Sequence, residues 1–169
     1  MNRNIVLVGF MGVGKSVVAN KLASDLKRKL VSTDDLIEKK SGKTIADIFR
    51  ESGESTFRQL EQAVVEELSS QNNLIIDCGG GVVLDQKNID ALKKSGIVIY
   101  LYASPEVVVK RAMKETHRPL LKVADPKARI LELLKEREPK YRLADHTIDT
   151  SQHIVDQTVK EIIELLSHE

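Results

Sequence analysis

Short runs of apolar residues alternate along the chain with longer stretches in which apolar residues recur at helical spacing. The runs are typical of strands that are buried on both faces of a sheet. A more polar segment near the C-terminus is predicted to be the last strand. Strands are predicted at 5–8, 30–33, 74–77, 97–102 and 146–150. Since strands and helices alternate, the pattern predicts an α/β fold of three layers, a five-stranded parallel sheet with helices on both faces.

Glycine, proline and capping residues mark most of the helix boundaries. Gly53 is expected to interrupt the helical stretch that begins at Thr44, and Pro139 is expected to end the helix that begins at Pro126. The stretch 113–124 shows no sustained period and is longer than most connections between helices. This predicts a mobile lid loop.

The stretch Gly9-Phe10-Met11-Gly12-Val13-Gly14-Lys15-Ser16 lies between the first predicted strand and the first predicted helix. It matches the phosphate-binding loop, in which glycines let backbone N–H groups point inward around phosphate oxygens. Lys15 would supply a charge for the outer phosphates, and the Ser16 hydroxyl would ligate the Mg²⁺ that accompanies a nucleoside triphosphate. A glycine-rich turn could match by chance, but the flanking strand and helix are the context that the motif requires. The predicted nucleotide-binding residues here are Gly12, Val13, Gly14, Lys15, Ser16 and Val17.

Acidic residues follow two of the predicted strands, at the carboxyl ends where ligands bind in such folds. Asp34 follows the second strand and is the candidate catalytic residue, because phosphoryl transfer needs an acceptor for the proton of the attacking hydroxyl. One or both of Asp34 and Asp35 could instead cap the next helix, and we assign the chemistry to Asp34 and the cap to Asp35. Asp77 closes the third strand and resembles the acid that holds Mg²⁺ in phosphate-loop enzymes, although it could also cap the turn that follows.

Three consecutive glycines, Gly79, Gly80 and Gly81, follow the third strand almost directly. Glycine has no side chain, so a ligand can approach the backbone closely and bind its N–H groups. A plain turn rarely needs three glycines in a row. The stretch is therefore a candidate substrate-binding segment.

Arginines in three separate segments are the remaining candidates. Arg58 stands near the start of a helix, where a cation is unfavourable and calls for an anionic partner. Together with Arg137 it would clamp a small carboxylate substrate if the two converge, since guanidinium binds carboxylate bidentately. An ion pair of Arg58 with Glu54 or Glu61 is the alternative. Arg118, in the predicted lid, would neutralise charge on the transferring phosphoryl group.

Composition narrows the class of protein. With a formal net charge of +1 and 30% charged residues, the chain has no overall field that would recruit nucleic acid or a membrane surface. Aromatic residues are 4% of the chain, which disfavours base-stacking platforms. The single cysteine, Cys78, excludes an internal disulfide and is typical of a reducing compartment. No long apolar segment for export or membrane insertion is present, so we expect one cytoplasmic domain, residues 1–169, that acts as a monomer.

Several motifs together resemble those of the shikimate kinase family. They follow the family's order along essentially the whole chain: Gly-Phe-Met-Gly-x-Gly-Lys-Ser at 9–16, Thr33-Asp34 followed by Ile37-Glu38, Gly53-Glu54 with Phe57-Arg58, Gly79-Gly80-Gly81, Arg118-Pro119-Leu120-Leu121, and Arg137 with Tyr141-Arg142. The resemblance implies a P-loop kinase fold with a mobile lid. It also implies transfer of the ATP γ-phosphate to the 3-hydroxyl of shikimate, a step of aromatic amino-acid biosynthesis.

The same resemblance implies roles for individual residues, with a shikimate-binding region at about 33–61. The residues that would contact shikimate are Asp34, Arg58, Gly79, Gly80, Gly81 and Arg137. The residues that would serve the phosphates and Mg²⁺ are Lys15, Ser16 and Arg118. The residues that would border the adenine are Arg111 and the segment around Ser151, Gln152 and His153.

One departure from the family concerns the metal. The family usually has Asp-x-Asp at the end of the second strand, where the first Asp holds Mg²⁺ through water, and this chain has Ser32 at that position. The family often has Ser or Thr where this chain has Asp77 and Cys78. We interpret this as an acidic ligand moved from one strand end to its neighbour, and predict that Ser16 and Asp77 hold the metal.

Three other functions stay open at this point. A kinase of the same fold that acts on another hydroxylated acid, such as gluconate, would share the phosphate loop but not the combination of Phe57-Arg58, the triple glycine and Arg137. A nucleotide kinase would need a larger basic and aromatic pocket for a second base. A nucleotide-dependent switch would need a partner surface.

Overall fold

The chain folds around one parallel β-sheet. The structure is a computed structural model that describes residues 2–114 and 121–168. The strands are β1 (Asn4–Val8), β2 (Lys29–Ser32), β3 (Leu74–Asp77), β4 (Gly96–Tyr102) and β5 (His146–Asp149). They lie in the order β2-β3-β1-β4-β5, and every neighbouring pair is parallel. The predicted five-stranded parallel sheet is therefore confirmed.

The strand β1 lies at the centre of the sheet, where its apolar side chains are covered from both faces. All its residues are buried, and so are those of its neighbour β3. In the register of the sheet, Ser32 pairs with Asp77, and Asp77 pairs with Leu7. The carboxyl ends of β1, β2 and β3 therefore meet at one edge of the sheet, where the phosphate-loop motif begins.

Helices connect the strands throughout the described residues. They are α1 (Lys15–Leu26), α2 (Thr33–Ser41), α3 (Ile45–Ser69), α4 (Gln86–Ser95), α5 (Pro105–Ala112), α6 (Pro126–Tyr141) and α7 (Val155–Leu166), with a 3₁₀ turn (Val82–Leu84) before α4. Helix α1 packs against α7, α3 packs against α2 and α4, and α5 packs against α6. Pairs of helices thus form layers against the sheet, as predicted. No helix in the described part of the chain is both long and apolar enough to cross a membrane.

The start of α2 differs from the prediction. Asp35 does not cap this helix: the cap is Ser32, whose Oγ accepts a hydrogen bond from the Asp35 N–H at 3.2 Å. The strand β2 ends one residue earlier than predicted, because Thr33 already belongs to the first helical turn. There its side chain is buried and its Oγ1 accepts a hydrogen bond from the Gly79 N–H. Asp34 consequently lies in the first turn of α2.

The prediction that Pro139 ends α6 is also wrong, because the helix continues through Pro139 to Tyr141. Proline removes one hydrogen bond near the end of this helix. The helix continues because its last turns bury the side chains of Arg137 and Tyr141. The predicted break at Gly53 is confirmed, since its φ of 80° and ψ of 172° interrupt the helical geometry inside α3.

Candidate active site

The phosphate loop connects the end of β1 to the start of α1. Gly12 and Gly14 have positive φ angles of 78° and 93°, a conformation that residues with a side chain rarely adopt. Lys15 is the first residue of α1, and its Nζ donates a hydrogen bond to the Phe10 carbonyl at 3.2 Å. The loop thus combines the N-terminus of a helix with a lysine whose ammonium group contacts the loop backbone. This is an arrangement that binds phosphate.

Ser16 and Asp77 meet beside the phosphate loop. The Ser16 Oγ donates a hydrogen bond to Asp77 Oδ2 at 2.6 Å, and Asp77 is only 8% exposed. A hydroxyl and a carboxylate are oxygen ligands of the kind that Mg²⁺ prefers. The two residues therefore fit a shared magnesium site next to the phosphates.

The alternative role of Asp77, as a cap of the glycine turn, has little support from the contacts. The first two amides of the turn use other acceptors. The Cys78 N–H donates to the Leu7 carbonyl at 3.1 Å, and the Gly79 N–H donates to Thr33 Oγ1 at 2.9 Å. The Asp77 carboxylate instead accepts a hydrogen bond from the Ser16 hydroxyl, on the side of the phosphate loop.

A small cavity of about 140 Å³ adjoins the phosphate loop near the end of β5. Predicted nucleotide-binding residues that line it are Val13, Gly14, Val17, Arg111 and His153. The Arg111 guanidinium donates to the carbonyls of Val13 and Thr150, each at 3.4 Å, and so joins the loop to the segment that follows β5. Gln152 is exposed and lies outside the lining of this cavity.

A larger cavity of about 290 Å³ lies between α2, α3, α6 and the glycines that follow β3. We name it the arginine pocket. The predicted substrate contacts that line it are Asp34, Arg58, Gly79, Gly80, Gly81 and Arg137. Further lining residues include Met11, Phe49, Phe57 and Glu61. The structure thus brings all the predicted substrate contacts together, while their individual roles stay predictions.

The two arginines of the pocket are held in different ways. Arg58 forms ion pairs with Glu61 at 2.9 Å and with Glu54 at 3.2 Å, so the alternative interpretation of this residue is present in the structure. Arg137 is 3% exposed, and its guanidinium lies 6.0 Å from the centre of the Phe10 ring. Because both side chains also line the pocket, the ion pairs orient Arg58 without removing it from the site.

Buried polar atoms on two arginines and one glutamate of the pocket have no hydrogen-bond partner among the described residues. They are Nε of Arg58, Nε of Arg137 and Oε2 of Glu61. A buried polar group that stays unsatisfied costs about 1–3 kcal/mol. Two N–H donors and one carboxyl oxygen of the pocket are therefore available to a polar ligand that carries both acceptor and donor groups.

At two glycines of the pocket wall, an added side chain would meet groups that line the pocket. A Cβ on Gly79 would lie 2.5 Å from Asp34 Oδ1, and a Cβ on Gly81 would overlap the Arg58 guanidinium. Any side chain at either position would displace one of the groups that line the pocket. The protein's own side chains thus lie close to the glycine backbone, while the predicted approach of a ligand to it stays a prediction.

The predicted lid is described only near its ends. Arg118 and the other residues of 115–120 lie outside the described residues, so the predicted role of Arg118 stays a prediction. At the far end, Leu121 is partly buried and packs against the hydrophobic core.

Comparison with known proteins decides the family. A sequence model named for shikimate kinase matches residues 11–167. A shikimate kinase of Caldanaerobacter subterraneus subsp. tengcongensis is 48% identical over 161 residues, which covers 95% of this chain and 94% of that protein. The chain belongs to the shikimate kinase family.

Solved structures agree with membership of the shikimate kinase family. The structure of a shikimate kinase from Acinetobacter baumannii in complex with shikimate has a TM-score of 0.93 and 40% identity, and the match covers 98% of this chain and 93% of that chain. A gluconokinase from Sinorhizobium meliloti 1021 has a TM-score of 0.64 and 19% identity over 98% of this chain and 92% of that chain, which shows a common fold alone. The predicted P-loop kinase fold is confirmed.

Glu61 is a charged residue of the pocket that was not predicted from the sequence of this shikimate kinase family member, where it was considered only as an ion-pair partner of Arg58. Burial raises the pKa of its carboxyl to about 7, although the Arg58 charge acts in the opposite direction. A signal was present in the sequence. Glu61 lies on the same buried face of α3 as Phe57 and Val64, and a carboxylate on an apolar face is rarely buried without a specific partner.

The raised pKa of Glu61 predicts that the stability of this shikimate kinase family member depends on pH. The folded state binds the Glu61 proton more tightly than the unfolded state does. Its contribution to the free energy of unfolding is therefore complete below pH 4.5 and is lost as the pH rises through about 7. Glu61→Gln should remove this loss, which amounts to up to about 3 kcal/mol. Urea unfolding at a series of pH values across this range measures it.

Glu66→Gln, an exposed change on the same helix, is the matched control and should leave the pH profile as it is. If the free energy of unfolding has the same pH profile with and without the Glu61 carboxylate, the proposed titration of Glu61 is wrong.

Proposed function

We propose that this chain is a shikimate kinase that transfers the γ-phosphate of ATP to the 3-hydroxyl of shikimate. The observation that carries the proposal is the position of the arginine pocket beside the phosphate loop. A Cβ on Gly80 would lie 3.6 Å from the Gly9 carbonyl oxygen and 3.7 Å from the Met11 nitrogen, so pocket and loop share a wall. A hydroxyl held in the pocket would be adjacent to the terminal phosphate.

The chemistry of the pocket suits a small hydroxylated carboxylate such as shikimate. Arg58 and Arg137 provide two guanidinium groups with an open Nε each, and guanidinium binds carboxylate bidentately. The open Oε2 of Glu61 and the carboxylate of Asp34 are acceptors for hydroxyl groups. The shikimate bound to the Acinetobacter baumannii relative supports the same acceptor here.

Asp34 is proposed as the acceptor of the proton that leaves the attacking hydroxyl. Its Oδ1 borders the backbone of Gly79, at the edge of the pocket nearest the carboxyl ends of the strands. A carboxylate in hydrogen-bond reach of the hydroxyl lowers the barrier as the phosphoryl group transfers. The rest of catalysis is positioning and neutralisation of phosphate charge.

The phosphate loop with Lys15 is proposed to hold the triphosphate, and the small cavity beside Arg111 and His153 is proposed to take the adenine. Ser16 and Asp77 would hold Mg²⁺, with water completing its coordination. When bound, this ion supplies positive charge that neutralises the phosphate oxygens. Ser32 supplies no carboxylate, and Asp77, which lies opposite Ser32 in the sheet and accepts the hydrogen bond from Ser16, would supply one instead.

Asp77→Asn should raise the Mg²⁺ concentration needed for half-maximal activity, because the amide keeps the shape of the carboxylate but lacks its charge. Adding Ser32→Asp to the Asp77→Asn variant should lower this Mg²⁺ concentration again, because Ser32 lies opposite Asp77 in the sheet register. Binding of Mn²⁺ with ATP, followed by electron paramagnetic resonance, gives a second readout that does not depend on turnover. If Asp77→Asn lowers thermal stability but leaves both readouts as they were, Asp77 has a structural role instead.

An ATP-consumption assay with shikimate, gluconate and nucleoside monophosphates as acceptors tests the proposed activity. Shikimate should support turnover, and the other acceptors should give the low rate seen without acceptor. Faster turnover with gluconate or with a nucleoside monophosphate would contradict the proposal. ATP hydrolysis that is independent of every acceptor would favour a nucleotide-dependent switch.

We further infer that the enzyme works as a cytoplasmic monomer whose partners are its small-molecule substrates. The single cysteine, Cys78, is buried and unpaired by any disulfide, as expected in a reducing compartment. Burial raises the pKa of its thiol well above the ordinary value, which keeps the thiol protonated and unreactive. Light scattering of the purified protein at several concentrations tests the oligomeric state.

A further inference from the structure

The hydroxyl of Tyr141 donates a hydrogen bond to the Gly80 carbonyl oxygen, in the wall of the arginine pocket. Tyr141 is the last residue of α6 and is fully buried. Its ring stacks on Tyr100 of β4, with 5.1 Å between the ring centroids and 18° between the ring planes. Next to it, Lys140 Nζ donates to the Leu84 carbonyl at 2.9 Å. The end of α6 therefore holds the segment that contains the glycines at two carbonyls.

The peptide between Gly80 and Gly81 depends on such an anchor. With glycine on both sides, no Cβ restricts the neighbouring torsion angles, so the peptide plane is intrinsically free to rotate. The C=O and N–H of a trans peptide point in opposite directions. The hydrogen bond from Tyr141 to the Gly80 carbonyl therefore also fixes the direction of the Gly81 N–H, and both glycines line the pocket.

The Tyr141 hydroxyl also lies next to the substrate arginine of α6. Arg137 precedes Tyr141 by about one helical turn, and its Nη1 would lie 3.7 Å from a Cβ on Gly80. Burial raises the pKa of Tyr141 to about 12, with the Arg137 charge acting in the opposite direction. The hydroxyl consequently stays protonated, and remains a donor, at every pH at which the enzyme would work.

We propose that Tyr141 is a positioning residue for the acceptor: it holds the Gly80–Gly81 peptide beside Arg137 and so preorganises the wall against which the acceptor binds. The inference rests on the proposed function, because the acceptor is taken to be shikimate. Tyr141 acts through the glycine backbone and touches no reacting atom. Its loss should therefore weaken acceptor binding and leave both nucleotide binding and the chemical step unchanged, since preorganisation lowers the cost of binding.

Tyr141→Phe tests the proposal, because it removes the hydroxyl and keeps the buried ring. The expected result is a KM for shikimate about tenfold higher, with kcat within about twofold of the unmodified enzyme and an unchanged KM for ATP. Tyr100→Phe is the matched control, since it removes a hydroxyl from the other ring of the same stack. It should leave the KM for shikimate as it is.

Thermal unfolding with and without saturating shikimate gives a second measurement. It can be interpreted even if Tyr141→Phe is less stable, because each variant is compared with itself. A ligand stabilises the folded state according to its affinity, so the rise in Tm caused by shikimate should be smaller in Tyr141→Phe than in the unmodified protein. An unchanged KM with an unchanged rise in Tm overturns the positioning role. So does an equal increase of KM in Tyr100→Phe. If the unmodified protein does not phosphorylate shikimate, the proposed function itself fails, which is a separate result.

Discussion

Asp34→Asn will lower kcat for shikimate by about 10²–10⁴-fold, while the KM for ATP stays close to that of the unmodified enzyme. The asparagine side chain keeps the shape of the aspartate, so the backbone contact with Gly79 and the geometry of the pocket are retained. It cannot accept the proton that leaves the attacking hydroxyl. Steady-state kinetics at saturating ATP and shikimate measure the effect.

Asp35→Asn is the matched control, because Asp35 is the next residue in the same helical turn and is exposed. It should leave kcat within about twofold, since surface substitutions away from a site have small effects. Near-normal turnover of a correctly folded Asp34→Asn variant would contradict the proposed role of Asp34 as proton acceptor. Helix capping is not an explanation for a loss of activity, because Ser32 caps α2.

Arg137→Ala will weaken shikimate binding by about 2–5 kcal/mol, which corresponds to about 30- to 5,000-fold in affinity. Arg137 is buried, so its charge is desolvated and the acceptor carboxylate would lose a strong partner. Arg58→Ala should weaken binding within the same range but should also destabilise the fold, because the buried Glu61 loses its ion pair. Isothermal titration calorimetry with shikimate and with ATP separates the two affinities.

Arg129→Ala provides the control for both variants. Arg129 lies on α6 like Arg137 but pairs with Glu132, an exposed residue, outside the arginine pocket. Its loss should change neither affinity. If both Arg58→Ala and Arg137→Ala bind shikimate with unaltered affinity, the proposed carboxylate clamp does not exist.

Features that depend on neighbouring residues were predictable from the sequence. The phosphate loop is recognised from contiguous residues, and β3 has the predicted bounds Leu74–Asp77 because an apolar run ends there. The proximity of Asp77 to Ser16 was also predictable, although 61 positions separate them. It follows from topology alone, since the carboxyl ends of adjacent parallel strands meet at one edge of the sheet.

Features that depend on tertiary packing were not predictable in the same way. Ser32 caps α2 instead of the predicted Asp35, because the buried Thr33 belongs to the helix and β2 therefore ends one residue earlier than predicted. Pro139 failed to end α6 because the burial of Tyr141 outweighed a local preference. The hydrogen bond of Tyr141 to Gly80 joins an α6 side chain to a distant loop. The pattern of apolar and polar residues along the sequence does not predict such a contact.

The wall that Gly80 forms between the phosphate loop and Arg137 also limits how such an enzyme can diverge. A bulky side chain at Gly80 itself would press on both the phosphate loop and Arg137 and so disturb ATP and the acceptor together, and new acceptors should rarely be gained by changes at this position. The pocket is also lined by Ile45, Phe49 and Phe57 of α3, which are outside the phosphate loop. Variation in acceptor size among descendants of this sequence, or in a laboratory selection, should therefore accumulate on α3.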